Sequence, residues 1–440
     1  MQVSILGGGL AGISSAYHLN DNLEVSVYEK SEITGGLLRT DEKKGYFFDF
    51  GPHIYFHKDP YFLEIFKKSV NLVGYEERIA KAAQWSFKKL IEYPYSLHLM
   101  GLPESVVAEC VSDFISCQVE IAKGFSPSPK NYDEYCREYY GNGLNRHFMQ
   151  KYSKKMWTIP PTEIDIDWVG KAVKMPDFRE VIRGSIEKRS LSAHFIQEFF
   201  YPTRMGAQAL INGLERMCSK NKIINTKKEV CEINLQSKNI LFKDGSSTNY
   251  ELIISSIPLP ELKKIIVNLP KKIIDAIDKL NKLSVLLLNI GGKFIKNNPY
   301  HWIYFDQDDA LFRRIHYPSK LSDYMAPKGM QSIQMEISYS KFDPLKKSPD
   351  IILEKCCNQL YENGFLSSRG VPELSFTRQI DYAYAIMDKN RKKNVPIIRE
   401  FLHKNGFLTC GRFGEWDYIW TDKVLHSGKS AAEKVNSFFS

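Results

Sequence analysis

The start of the chain alternates apolar and polar positions in an order typical of a βαβ unit. Val3–Leu6 is a short apolar run, and apolar residues then recur at helical spacing at Ile13, Ala16 and Leu19. A second β-type run covers Glu24–Tyr28. We therefore predict strand, helix and strand in succession, and an α/β fold built around them.

Further along, hydrophobic patterning divides the chain into three kinds of segment. Helix-like spacing dominates residues 58–194, which we predict to be a mostly helical insertion. Residues 276–404 contain alternating runs such as Ser332–Ser338 and are predicted to form a β-rich, substrate-binding sheet region. The remaining segments hold strand and glycine-turn patterns that we expect to assemble into one discontinuous, Rossmann-like domain: residues 1–57, 195–275 and 405–440.

The loop between the first strand and the first helix carries a G-x-G-x-x-G motif that runs from Gly7 to Gly12. Gly7 suits a tight turn, Gly9 lets the backbone approach a pyrophosphate, and Gly12 allows the helix to pack closely on the strand. The first helical turn offers free N–H groups to phosphates, and Glu29 can accept hydrogen bonds from ribose hydroxyls. Strand, helix and distal acid together predict a dinucleotide site.

Composition and charge exclude several other classes of function. The chain has 440 residues with 60 Lys+Arg against 51 Asp+Glu, a formal net charge of +9. The basic residues are scattered among acids, which argues against a nucleic-acid partner and suits an anionic small substrate. Eight cysteines without zinc-type spacing indicate reduced thiols and no metal site. Without a leader or an apolar run near the ~20 residues of a membrane span, a cytoplasmic protein is expected.

A second glycine element follows Glu29 and reads Gly35-Gly36-Leu37-Leu38-Arg39. This Gly-Gly-x-x-Arg pattern resembles the FAD signature of amine-oxidase-like flavoproteins, and the resemblance implies FAD rather than NAD. The same resemblance extends to later turns and to the final helix. The candidate cofactor-binding residues are Gly7, Gly9, Leu10, Ala11, Gly12, Glu29, Lys30, Gly36, Leu37, Leu38, Arg39, Gly51, Pro52, His53, Val230, Gly411, Arg412 and Gly428.

The segment from Asp49 to His53 narrows the resemblance to a smaller family. It is similar to the Asp-x-Gly-x-His loop of UDP-galactopyranose mutase and its relatives, whose histidine lies beneath the flavin, so His53 is the candidate catalytic residue. The resemblance implies a redox-neutral pyranose/furanose isomerisation of a nucleotide sugar, through an adduct at N5 of the reduced flavin, in polysaccharide biosynthesis. A nucleotide sugar and an external or NAD(P)H-derived reductant are the implied partners, and the oligomeric state stays open.

Aromatic motifs of the same family recur along the chain, but its two phosphate-binding arginines do not. Lysines stand at those places, and a lysine cannot reproduce the bidentate fork of an arginine. Three alternatives follow: these lysines bind the diphosphate; Arg313, Arg314, Arg179 or Arg183 supplies the charge; or the substrate lacks this diphosphate. The candidate substrate-binding residues are Tyr93, Trp157, Lys171, Lys293, Arg313, Tyr384 and Tyr418.

Two other classes of protein would be compatible with the same FAD elements. One is an FAD-dependent oxidoreductase of the amine-oxidase or protoporphyrinogen-oxidase type, which removes hydride from a C–N or C–C substrate. The other is a flavin-binding protein without catalytic activity. The His53 loop and Trp157 favour the sugar mutase over both.

Overall fold

The computed structural model describes residues 2–56, 59–169, 175–187, 198–293, 295–308 and 310–438. The strands are β1 Gln2–Leu6, β2 Glu24–Tyr28, β3 Thr40–Lys43, β4 Tyr46–Asp49, β5 Tyr55–Phe56, β6 Tyr75–Ile79, β7 Ala82–Ser86, β8 Lys89–Glu92, β9 Glu198–Pro202, β10 Lys222–Asn225, β11 Val230–Asn234, β12 Asn239–Phe242, β13 Ser247–Asn249, β14 Leu252–Ser255, β15 Lys282–Gly292, β16 Trp302–Phe305, β17 Arg314–His316, β18 Gln331–Tyr339, β19 Leu374–Ala385 and β20 Phe407–Thr409. The helices are α1 Leu10–His18, α2 Pro60–Ser69, α3 Glu104–Ala122, α4 Tyr132–Leu144, α5 Gln150–Trp157, α6 Phe178–Ile186, α7 Gln208–Met217, α8 Leu259–Ile265, α9 Lys271–Asp278, α10 Pro349–Glu362, α11 Lys389–Lys404, α12 Gly411–Gly414 and α13 Thr421–Phe438.

A five-stranded parallel sheet in the order β10-β2-β1-β14-β20 forms the first layer of the molecule. Val3, Ile5, Val25, Val27 and Ile254 are buried in it, as expected for a parallel sheet covered on both faces. Helices α1 and α13 pack on each other beside this sheet. The α/β class and the initial strand–helix–strand unit are therefore confirmed.

A second, seven-stranded sheet runs in the order β19-β15-β18-β17-β16-β7-β8. The long strand β15 is the second strand from the β19 edge, and its residues from Leu283 to Gly291 are buried. Strand β17 pairs with β18 in antiparallel register, which places Arg314 opposite Glu336. Both residues of this cross-strand pair line the candidate site.

After α2, part of the predicted helical insertion is not helical. The segment from Tyr75 to Glu92 forms β6, β7 and β8, and β7 and β8 extend the seven-stranded sheet. Helical spacing fails there because these residues pair across strands, with Ala82 and Ala83 buried against β16. Helices α3 to α6 follow, and their aromatic core packs on the ends of β15 and β19 through Leu283 and Ile386.

Candidate functional site

The G-x-G-x-x-G loop lies at the carboxyl end of β1. Later strands are added on both sides of β1 in the parallel sheet, β2 on one side and β14 on the other. Gly7 adopts a φ of 97°, which favours glycine, and its N–H donates to the Tyr28 carbonyl at 2.9 Å. A Cβ on Gly12 would lie 2.0 Å from the Gly7 carbonyl oxygen, so α1 can approach the loop this closely only with glycine there. The N-terminal turn of α1 thus opens towards this loop, as in a dinucleotide site.

Glu29 lies at the end of β2 with both carboxylate oxygens held. Oε2 accepts from the Gly8 N–H and Oε1 from the Ser31 N–H, each at 2.8 Å. The side chain is buried, and each oxygen retains a second lone pair for a ligand hydroxyl. The residue is therefore fixed where a ribose of a bound dinucleotide would reach it.

The second glycine element packs directly against the first. The Gly35 N–H donates to the Gly8 carbonyl at 2.8 Å, and a Cβ on Gly36 would lie 3.2 Å from Gly9 Cα. Arg39 donates from Nη1 to Ser31 Oγ and from Nε to the Gly36 carbonyl, both at 3.1 Å. Burial lowers the pKa of Arg39, yet a guanidinium keeps its charge in proteins. Helix N-terminus, glycines and this arginine fit the pyrophosphate of FAD.

Two segments from the C-terminal part of the chain converge on Ala11 in α1. A Cβ on Gly411 would lie 2.6 Å from Ala11 Cβ, and a Cβ on Gly428 would lie 2.4 Å from the Ala11 carbonyl oxygen. Ser427 Oγ accepts from the Gly411 N–H at 2.7 Å, which ties the turn before α12 to α13. Gly411 and Gly428 therefore hold α1 in place against the C-terminal part of the chain.

Asp49 anchors the loop that carries His53. Its carboxylate accepts from Thr40 Oγ1 at 2.7 Å, from the Tyr201 hydroxyl at 2.6 Å and from the Ala207 N–H at 3.0 Å. Burial raises the pKa of Asp49 to about 6, and these three donors oppose the shift. The loop is thus fixed by hydrogen bonds from β3, from β9 and from the residue before α7.

His53 is neutral at pH 7. Burial and the nearby charge of Arg412 lower its pKa to about 4. Nδ1 lies 2.9 Å from the Gly51 carbonyl oxygen, and because a carbonyl only accepts, Nδ1 carries the hydrogen. Nε2 is then the unprotonated nitrogen, the one that can accept a hydrogen bond or a proton.

Two connected cavities meet at this histidine. The larger has a volume of about 410 Å³ and the smaller about 50 Å³. The residues that line both are Pro52, His53, Arg313, Arg314, Tyr384 and Arg412. The smaller is otherwise lined by Leu37, Phe50, Gly51, Glu336 and apolar side chains of β15 and β19, and its place beside the FAD elements fits a flavin ring.

Aromatic side chains wall the larger cavity. Tyr93 and Tyr304 have ring centroids 4.9 Å apart, and Tyr384 stacks on Tyr418 at 5.8 Å with an interplanar angle of 23°. Trp157 lies edge-on to the same pair, 5.7 Å from Tyr418. Burial and the neighbouring Tyr384 raise the pKa of Tyr418 to about 12, so its hydroxyl keeps its proton. Such rings offer flat apolar contact together with hydroxyl groups.

The floor between the cavities is cationic. Glu336 accepts from Arg313 Nη2 through one carboxylate oxygen and from Arg314 Nε through the other, at 2.8 Å for the latter. Burial alone would raise the pKa of Glu336, but the two arginines outweigh it and the pKa lies below its usual value. Arg412 adds a further cation, with Nε and Nη2 on the Ile419 carbonyl. Three guanidiniums and one carboxylate leave about two positive charges facing the cavities.

Ten of the residues predicted for the site come together around the two cavities. Leu37, Gly51, Pro52, His53, Arg412, Tyr93, Trp157, Arg313, Tyr384 and Tyr418 line the cavities. Lys293 does not join them: it is exposed just beyond β15, six positions past Leu287 of the small cavity, about 20 Å along an extended strand. Lys171 lies outside the described residues.

The other predicted cofactor residues lie beside the cavities rather than in them. Lys30 is exposed after β2, Val230 begins β11, and Leu38 is buried in the 3₁₀ turn Gly36–Leu38. Arg179 on α6 packs over the Phe178 ring at 5.0 Å and, like Arg183, lines neither cavity.

Sequence reasoning missed Glu336, Tyr152 and Tyr304. Tyr152 lies between Arg313 and the Tyr304 ring, whose centroid is 5.4 Å away. The sequence carries no signal for Glu336, because the alternation of Ser332–Ser338 places it on the polar face of the strand, whereas in the structure it is buried. Which arginine it would meet depended on the β17–β18 register.

None of the helices among the described residues is long and apolar enough to cross a membrane. Within those same ranges, no three His, Cys, Asp or Glu side chains are grouped so that they could hold a metal ion.

Comparisons with known proteins agree with this architecture. The family model described as flavin containing amine oxidoreductase matches residues 10–436. The crystal structure of reduced UDP-galactopyranose mutase superposes with a TM-score of 0.90 at 23% identity, over 99% of this chain and 94% of that one. At that identity the likeness establishes the fold alone.

Two curated relatives found by sequence are oxidases. Protoporphyrinogen oxidase of Dictyostelium discoideum is 20% identical over 365 residues, 67% of each chain. Coproporphyrinogen III oxidase of Staphylococcus aureus is 29% identical over 130 residues, and this match spans 28% of the present chain and only 27% of that relative.

Proposed function

The chain belongs to the flavin containing amine oxidoreductase family, and on that premise we propose that it is an FAD-dependent mutase acting on a nucleotide-activated sugar. One observation carries the proposal: the cationic floor of Arg313, Arg314 and Arg412 lies where the aromatic cavity joins the space that fits a flavin ring. An isomerisation that detaches and returns a nucleoside diphosphate needs positive charge at that junction, because the leaving group gains negative charge as its bond breaks.

Residues on three sides would hold the cofactor. Glu29 is placed for the ribose, Arg39 and the N-terminus of α1 for the pyrophosphate, and Leu37 with Gly51 for the ring. Bound FAD in its reduced form would supply a nucleophile for the anomeric carbon without net oxidation. The reductant is external or derived from NAD(P)H.

The chain's own residues would bind, orient and shield the substrate. Tyr93 and Tyr418 offer flat surfaces for a nucleoside and enclose the reacting end away from bulk water, and the buried Trp157 packs against Tyr418. His53 offers an unprotonated Nε2 at the junction of the cavities and can accept a proton from a sugar hydroxyl. The arginines hold the diphosphate close to the site it left.

The proposal is tested with dithionite-reduced holoenzyme and a panel of UDP-, GDP- and dTDP-sugars. We expect one of them to be converted to an isomer of equal mass, detected by chromatography, with no stoichiometric oxidised product. The same enzyme kept oxidised is the control and should be inactive. If no sugar nucleotide in the panel gave an isomer, the proposal that the protein is a mutase would be wrong.

The oxidases among the sequence relatives favour a second candidate, an FAD-dependent oxidoreductase. It predicts that oxygen is consumed and peroxide released when an oxidisable amine or cyclic substrate is added. An oxygen electrode run beside the isomer assay separates the two, since the mutase consumes no oxygen in its catalytic cycle.

A further inference from the structure

Three carboxylates among the described residues line the larger cavity, and they differ in how they are paired. Asp59 Oδ2 lies 2.6 Å from His426 Nε2, and Asp422 Oδ2 lies 3.9 Å from Lys423 Nζ. Glu180 is half-buried and makes no hydrogen bond or ion pair with any described residue. Within that part of the chain, its two oxygens are therefore left for a ligand in the cavity.

Helix α6 holds Glu180 beside the 3₁₀ turn Tyr95–Leu97. Gly184 lies one helical turn beyond Glu180 on the same face of α6. A Cβ on Gly184 would lie 1.9 Å from the Leu97 carbonyl oxygen, so the helix approaches this turn as closely as a glycine permits. Ser96 and Leu97 line the same cavity as Glu180, which places the carboxylate at this end of it.

A row of aromatic rings connects this turn with the arginines. The Tyr95 ring stacks on Phe148 at a centroid distance of 5.2 Å, and Phe148 stacks on Tyr152 at 5.8 Å. Tyr152 lies edge-on to Tyr304 at 5.4 Å, and Arg314 Cζ lies 5.9 Å from the Tyr304 centroid. All five side chains line the larger cavity. The cavity therefore has a cationic end at the flavin space and a carboxylate end at α6, with flat rings between them.

A nucleoside diphosphate has its phosphates at one end and a flat base at the other. With the diphosphate at the arginines, the base would lie along the rings towards Glu180. An ionised carboxylate only accepts hydrogen bonds, so it selects a base that presents donors.

The bases differ in the donors they present to a carboxylate. Guanine has two adjacent donors, N1–H and the N2 amino group, which match the two carboxylate oxygens as the fork of an arginine does. Uracil and thymine have one N–H between two carbonyl oxygens, which a carboxylate repels. Adenine and cytosine each have one amino group beside an acceptor nitrogen. Guanine is therefore the base that fits.

We infer that Glu180 determines the base of the substrate and that this base is guanine. The inference rests on the proposed function and deepens it, because it names a GDP-sugar as the substrate class. It depends on one unpaired carboxylate at the end of the cavity opposite the arginines.

The test measures the binding of GDP, IDP and UDP to FAD-loaded protein by calorimetry. IDP differs from GDP only by the missing N2 amino group. We expect the wild type to bind IDP and UDP at least 10-fold more weakly than GDP, since a hydrogen bond to a charged group contributes that much. In Glu180→Ala the affinity for GDP should fall to that for IDP, while the affinity for UDP should not fall. Glu180→Gln, which replaces one acceptor oxygen by a donor, should also bind GDP at least 10-fold more weakly.

Glu104→Gln is the matched control. Glu104 and Glu180 are both acids in the first turn of a helix, but Glu104 is exposed on α3 and lines neither cavity. Both substitutions remove the same favourable interaction with a helix N-terminus. All three affinities should be unchanged in Glu104→Gln.

The flavin absorbance of each variant reports whether the fold and the cofactor site persist, and the wild-type comparison of GDP with IDP needs no variant. Equal wild-type affinities for GDP and IDP would overturn the inference, as would unchanged GDP binding in an FAD-loaded Glu180 variant. Isomerisation of a UDP-sugar with either result would leave the proposed function intact and reject guanine. Glu180-dependent GDP binding without isomerisation of any GDP-sugar would support the base site and reject the mutase.

Discussion

At the scale of single residues, Glu336 is the side chain on which the site's electrostatics depend most. It is buried at 2% exposure between two guanidiniums and balances one of their charges. A carboxylate in that position is costly to remove, because each arginine would keep its charge inside the protein.

We expect Glu336→Gln to lower the free energy of unfolding by about 3–5 kcal/mol, because it leaves an uncompensated buried charge. Urea denaturation followed by circular dichroism measures the effect. Glu362→Gln breaks the exposed pair with Arg369 and should cost at most about 1 kcal/mol. Similar losses for the two variants would contradict the role assigned to Glu336.

His53 yields a prediction about activity rather than stability. His53→Ala should retain FAD while the isomerisation rate falls by about 10²-fold or more, since a positioned acid–base group contributes that much. Because burial and Arg412 hold its pKa near 4, the wild-type rate should show no step near pH 6.5 that depends on this residue. Rate profiles from pH 5.5 to 8, compared with the flavin absorbance of each variant, measure both. A wild-type step at pH 6.5 that vanishes in His53→Ala would contradict the neutral histidine.

At the scale of elements, the contact between α1 and α13 couples the C-terminal helix to the cofactor site. Gly428 touches the backbone of Ala11, in the first turn of the helix whose N-terminus faces the predicted pyrophosphate. A larger side chain at this crossing must separate the two helices.

Gly428→Val should therefore reduce the bound FAD per protein and lower stability by about 1–3 kcal/mol, the usual cost of overpacking. The ratio of flavin to protein absorbance and the melting temperature give the two readings. Ser430→Ala lies two positions along α13 at an exposed site and should change neither. Full flavin content in Gly428→Val would show that the helix contact does not support the cofactor site.

Elements also mark where sequence reasoning succeeded and failed. The βαβ start was predictable because glycine spacing, periodicity and Glu29 all point to the same structure. Strands β6–β8 were missed because their pairing depends on distant segments, β9 for β6 and β16 for β7. Arg314 was one of several candidate arginines in the sequence, and its ion pair could not be predicted for a similar reason. It depends on Glu336, which only the antiparallel register of β17 and β18 brings opposite.

At the scale of the whole molecule, buried titrating groups determine how the fold responds to acid. Burial lowers the pKa of His53 and His301 to about 4 and that of His316 to about 3. The unfolded chain takes up these protons near pH 6.5 and the folded protein does not, so this stability is present above pH 6.5 and is lost as the pH falls. Asp49 acts in the opposite sense, since its folded pKa of about 6 makes stability fall as the pH rises from 4 to 6.

On unfolding, the three histidines take up about three protons and Asp49 releases about one. These four groups therefore give a net uptake of about two protons. Stability should therefore fall by about 2.7 kcal/mol per pH unit between pH 6 and 4.5. Urea denaturation at a series of pH values measures this slope. Both ring nitrogens of buried His316 lack partners in the described part of the chain, so His316→Phe should reduce the slope by about one proton. An unchanged slope in this variant would contradict the assignment.

The order of strands in the parallel sheet also bears on how the protein is made. Strand β20 pairs with β14, and Gly411 and Gly428 then close on Ala11. During synthesis on the ribosome, the nascent chain presents β1, α1 and β2 first, yet the cofactor cradle is incomplete until residues from Phe407 onward have emerged. We therefore expect FAD to bind late in biogenesis. Until then the edge of the parallel sheet at β14 is unpaired, and such an open edge is a target for chaperones.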